Sequence, residues 1–131
     1  MAGSATDYLE NALLNHALGV SAYAFTSGTK YLALYSVAPT DTVSTGTEVT
    51  GGAGPYARQV AAFSTSTAGS SQNTGIIDFT GMPAVTVVAI AVMDAAVSGN
   101  MLFYSTLATA RSLSAGDTLR VPAGGLVVTL D

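Results

Sequence analysis

The chemistry open to this chain is bounded first by two scarcities. Among its 131 residues there is one histidine, His16, and no cysteine. Without a thiol there is no disulfide framework, no cysteine nucleophile and no cysteine-based zinc site. One histidine supplies no histidine-based metal site. Near the end of a helix it would instead face the negative end of the helix dipole. Gly28-Thr29-Lys30 imitates the close of a phosphate loop. The upstream glycine spacing is missing, however, and an extended segment follows where a helix is required. No Gly-x-Ser-x-Gly elbow is present.

Carboxylates come next, because paired acids hydrolyse glycosides when held about 5–10 Å apart. Asp78 and Asp94 fall in or beside extended segments, and nothing in their spacing sets such a separation. The reading adopted is that Asp78 points out of a half-buried strand and Asp94 caps the turn after it. Asp41, Glu48 and Asp117 lack the dense oxygen-ligand spacing of a calcium loop. The sequence therefore implies no catalytic residue, no cofactor and no metal. Arg58 is different. It shares a face with Tyr56 and Val60, so its guanidinium needs an acid if that face is buried. Asp78 and Glu48 are the candidates. An edge strand with Arg58 in solvent is the alternative.

The elements that position these residues follow from periodicity. Leu9, Leu13 and Ala17, with Leu14 and Leu18, recur at helical spacing. Asp7 as N-cap, with Glu10 three residues on, and Gly19 as the stop bound a helix over residues 8–18. Such a short helix must dock its leucines on something. Beyond it the chain reads as about seven strands: 30–37, 56–63, 76–80, 85–93, 101–107, 118–121 and 126–130. The segment 30–37 is apolar on both faces and should be central. Two Ser/Thr/Gly tracts, 40–54 and 64–74, read as loops. The expected fold is mainly β, a single-domain antiparallel β-sandwich or barrel over residues 1–131 with one short N-terminal helix.

Composition points to assembly. Half the residues are apolar (49%), only 9% are charged, and the net charge is −4. A typical soluble domain is roughly 25% charged. Mean hydropathy is +0.46. A small monomer normally coats its surface with charge, so this composition suits a subunit that buries much of its surface against copies of itself. The acidic balance argues against nucleic acid, and the absence of a long apolar run argues against a membrane. The first fifteen residues lack the form of a signal peptide. The interface candidates are Leu9, Leu13, Thr47, Val49, Tyr56 and Arg58. In this reading Thr47 and Val49 belong to an inter-subunit arm that orders on assembly.

Several segments also match a known pattern in order: YLENALLNH (8–16), YLALY (31–35) with PTD (39–41), and GTEV (46–49). They continue with YARQ (56–59), DAA (94–96) with Gly99, Asn100 and Leu102, and the ending AGGLVVTLD (123–131). In that order they resemble a family of small tailed-bacteriophage virion proteins labelled tail fibre or structural protein. Pro55 before the Tyr-Ala-Arg segment and the Ala-Val-Thr-Val-Val run depart from its pattern. The resemblance implies a non-enzymatic virion component made in a bacterial cytoplasm. With no shaft repeat in the chain, the leading expectation is a capsid decoration (cement) subunit on the particle exterior. It would form small cyclic homo-oligomers, trimers first, and contact the major capsid protein. The alternative is a tail fibre or other tail-associated subunit bound to tail proteins, with exposed tyrosines meeting host-surface carbohydrate.

Overall fold

The computed structural model describes residues 4–23, 28–42, 45–52 and 56–130. Pro55 and Asp131 therefore lie outside the described residues. The order is β1 (Ser4–Ala5), α1 (Asp7–Ala17), β2 (Lys30–Val37), β3 (Thr47–Glu48), β4 (Gln59–Ala61) and β5 (Ser70–Gln72). It continues with β6 (Ile77–Phe79), β7 (Val85–Met93), β8 (Met101–Leu113), β9 (Leu119–Val121) and β10 (Val127–Thr129).

β2 and β7 are apolar on both faces, and they pair antiparallel at the centre, Leu32 opposite Val92 and Leu34 opposite Ile90. The main sheet runs β1-β8-β7-β2-β3, with β4 beside β3 on the same edge of β2. It is open, so of the two expected architectures the barrel is not formed. Two small sheets, β5–β10 and β6–β9, complete the structure. One face of the main sheet contributes Leu32, Leu34, Ile90 and Val92 to a core shared with Ile77, Phe79, Met82 and Leu126. Each such side chain taken from water contributes about 1.5–3 kcal/mol.

The opposite face is built from small residues, Ala33, Ala89 and Ala91, among Tyr35, Met93 and Met101. The segment leaving β2 reaches back over toward β8. Ala38 packs on this cluster, the Asp41 carbonyl accepts from Asp7 N–H, and the Tyr104 hydroxyl donates to the Asp41 carboxylate.

Thr6, not Asp7, is the N-cap of α1. Its hydroxyl accepts from Leu9 N–H (3.4 Å) and donates to the Met101 carbonyl (2.6 Å). Thr6 can therefore cap the helix and fasten it to β8 at once, which Asp7, one residue later, is not placed to do. Gly19 follows the helix with φ +71°, the left-handed stop expected of it. Of the leucine stripe only Leu9 is buried; Leu13 is half-buried and Leu14 is exposed.

The tract 64–74 is partly a strand, since β5 pairs with β10. Its anchor is Asn73, 1% exposed. The Asn73 amide donates to the carbonyls of Gly75 and Pro122 and accepts from Leu126 N–H, all within 2.9 Å. β8 runs on to Leu113, past the expected end at residue 107. Ala89 faces Thr106 and Val87 faces Arg111, so residues 107–110 bow out of register as a bulge.

Candidate functional site

The densest polar constellation surrounds Arg58. β3 brings Glu48 to the edge of β2, opposite Tyr35. The segment leading into β4 brings Arg58 to the same edge. Arg58 Nε donates to Glu48 Oε1 and the terminal Nη2 to Oε2, both at 2.9 Å. Nη1 donates to the carbonyls of Ala95 (2.9 Å) and Ser98 (2.7 Å) in the β7–β8 turn. Glu48 is thus the acid that serves Arg58. Asp78 instead pairs with Arg120 at the surface. Arg58 precedes β4 and does not lie within a strand.

That turn is built to present its carbonyls. Asp94 accepts from the backbone N–H and the amide of Asn100, at 2.6 and 2.9 Å, which closes the hairpin as the sequence suggests. Gly99 sits at φ +74°, and a Cβ there would collide with the Asp94 carboxylate and the Ala95 methyl. Tyr56 fills the gap between β3 and β4. Its hydroxyl accepts from Leu34 N–H (2.9 Å) and donates to Glu48 (3.0 Å), and its ring stacks on Phe79. The phenol thereby stands in for backbone that neither short strand supplies.

Burial pushes the Tyr56 phenol well above the ordinary tyrosine range. The Leu34 N–H opposes the shift, and the Glu48 charge adds to it. Hydrogen bonding to Glu48 raises the Arg58 guanidinium against the opposing effect of burial. Beside the pair lies a pocket of about 190 Å3 lined by Tyr35, Thr45, Met93 and Met101. The carboxylate, phenol and guanidinium are turned toward one another. The arrangement holds four segments in one corner.

The other residues singled out in the sequence are dispersed. Asp41 bonds Tyr104, and Asp117 accepts from Ser114 N–H. His16 accepts from Tyr23 N–H at the helix end. Among the described residues no three His, Asp or Glu side chains converge on a point. The loop residues expected to reach a neighbour are ordered within the chain. Thr47 pairs with Val37, Val49 N–H donates to the Leu34 carbonyl, and the Val49 side chain is 2% exposed. The expected arm is therefore part of the chain's own sheet edge. Of the six interface candidates, Leu9, Val49, Tyr56 and Arg58 are turned inward, while Thr47 is exposed and Leu13 half-exposed. Exposed aliphatic side chains among the described residues lie elsewhere, at Leu14, Leu18, Val20, Val37, Val60, Ile76, Val97 and Leu130. Helical spacing displays Leu14 and Leu18, but not which of the two adjoining leucine stripes faces solvent.

No helix among the described residues is long and apolar enough to cross a membrane. A family model described as "Podophage GP4 fiber I protein gp80" matches residues 4–129. The chain belongs to that family. No curated protein matches it. Membership in the gp80 fibre family bears out the resemblance to phage virion structural proteins, and the family's description speaks of a fibre. It therefore backs the tail-fibre alternative better than the capsid-decoration reading.

Proposed function

We propose that this member of the gp80 fibre family is a non-enzymatic, self-associating structural subunit of a phage fibre, held on the particle by tail proteins. The observation that carries the reading is the family match, which extends over nearly the whole chain. Two features support it. The polar cluster at Arg58 is satisfied internally and braces the fold. The sparse charge and exposed leucines suit a subunit that is covered by protein in use. A cyclic oligomer, such as a trimer, is the assembly we favour.

The test is to image intact particles decorated with gold-labelled antibody fragments raised against the chain. Label concentrated at the tail is the expected outcome. Label spread over the capsid surface would overturn the fibre assignment in favour of a decoration subunit.

A further inference from the structure

Three of the chain's four lysine and arginine side chains have partners within it. Arg58 is held by Glu48, Arg120 by Asp78, and Lys30 donates to the Gly28 carbonyl. Arg111 has no hydrogen-bond or ion-pair partner among the described residues. Its place in β8 is an uncommon one for a charge. Arg111 stands opposite Val87, which is fully buried, and two residues from Leu113, which packs on the core. Residues paired across a sheet share a face, so Arg111 belongs to the core-facing side of β8, at the margin of the core.

There an open cleft of about 360 Å3 lies between β8 and β9. Leu107, Leu113, Leu119 and Val121 line it, together with Arg111 and Arg120. Among the described residues no acid lines it, although the chain carries twice as many acids as bases. The backbone beside the cleft supplies a second, independent observation. β8 pairs with β7 up to Thr106 and again from Arg111, and with β1 only at Phe103 and Tyr104. Residues 107–110 thus lie outside both ladders among the described residues, and Ala108, Thr109 and Ala110 are small and exposed. Such an edge is a template for an added strand.

We infer that this edge and cleft bind an acidic peptide segment of a partner protein, laid along β8 with a carboxylate on Arg111 and an apolar side chain against Leu113. Alternate residues of an added strand point to one face. Arg111 and Leu113 are two residues apart, so the acid and the apolar residue are two apart in the segment as well. Charge complementarity sets the acid: two arginines line the cleft, one of them without a carboxylate partner. The free edge selects a peptide, because it is completed by backbone N–H and C=O groups that a sugar or a lipid does not bring in that spacing. The walls of the cleft are aliphatic, with no aromatic ring among the described lining residues on which a sugar could stack.

The site stands apart from the structural-subunit reading and does not rest on it. The probe is the synthetic peptide acetyl-Thr-Val-Thr-Glu-Thr-Val-Thr-amide, which presents the same pattern in either strand direction and favours extended structure. It is titrated through the millimolar range into the isotopically labelled full chain, and backbone amide shifts are followed by NMR. The expected result is saturable shifts confined to residues 107–113 and 118–121. Replacing the glutamate of the peptide by glutamine should weaken binding at least about tenfold, the loss of one charge-assisted hydrogen bond. In the Arg111→Gln chain the two peptides should bind alike. Since Arg111 is exposed and without a partner, that chain should keep the parent's remaining amide shifts.

The peptide comparison on the parent chain needs no protein variant at all. Equal binding of the glutamate and glutamine peptides overturns the role of Arg111. Absence of saturable shifts with either peptide overturns the site. Sodium glucuronate producing the same shifts at the same concentrations assigns the cleft to acidic sugars and overturns the peptide.

Discussion

Glu48 and Arg58 meet fork to fork, with two nitrogens of the guanidinium each 2.9 Å from a different carboxylate oxygen. The pair joins β3 to the segment entering β4, both on one edge of β2. The remaining Arg58 nitrogen extends the tie to the β7–β8 turn. The guanidinium side chain is 9% exposed and the carboxylate 25%, so the charge is compensated by its neighbours more than by water.

Removing the acid should therefore cost more than removing both partners. Glu48→Gln leaves Arg58 buried beside a neutral amide and is expected to destabilise the fold by about 3 kcal/mol. Adding Arg58→Met to it should recover part of the loss. Urea titrations of the two single variants and the double variant check this, and strictly additive losses would count against the coupling.

Gly99→Ala should destabilise by about 1–3 kcal/mol. Its left-handed conformation and the collision with Asp94 both resist a side chain. The turn would release its hold on Arg58, so the amide protons of residues 94–100 should exchange faster in the variant.

Thr6→Val removes both the cap of α1 and the bond to the Met101 carbonyl. A loss of about 1–2 kcal/mol is expected. Hydrogen exchange should show the helix opening before the main sheet. Uniform opening of helix and sheet together would contradict the separate fastening of α1.

Leu9→Ala should cost about 2–5 kcal/mol, because Leu9 is buried. Leu13→Ala should cost less than Leu9→Ala, since Leu13 is half-exposed. Thermal melting of the two variants tests the order.

Stability should fall in alkali. Tyr56 is held protonated in the fold above its ordinary value of 10.0. Above about pH 10 the unfolded chain loses this proton first, and stability declines until the folded phenol also titrates. Tyr35, raised mainly by burial, adds a decline of the same sign. Tyr56→Phe should flatten the fall between pH 10 and pH 11 in denaturant titrations, and an unchanged slope would refute the contribution.

The long, doubly apolar strands were legible in sequence: β2 and β7 have the expected bounds, because β-branched and apolar runs of that length leave few alternatives. β3 and β5 were not legible. Two or three residues such as Thr47-Glu48 or Ser70-Ser71-Gln72 carry no apolar pattern, and only the edge that receives them makes them strands. The cap of α1 was misplaced by one residue, since Thr6 and Asp7 are both competent and the deciding bond is to a residue ninety-five positions away. Arg58 was recognisable from its apolar neighbours. Its partner was narrowed to two acids, and the choice depended on where the 40–54 tract folds.

The bond from Thr6 to Met101 also has a consequence in time. During synthesis α1 emerges long before β8 exists to receive it, and the pairing of β2 with β7 must likewise wait for residues 89–93. Contacts so distant along the chain form late and slowly. Until then Leu9 is uncovered, on a helix too short to persist alone.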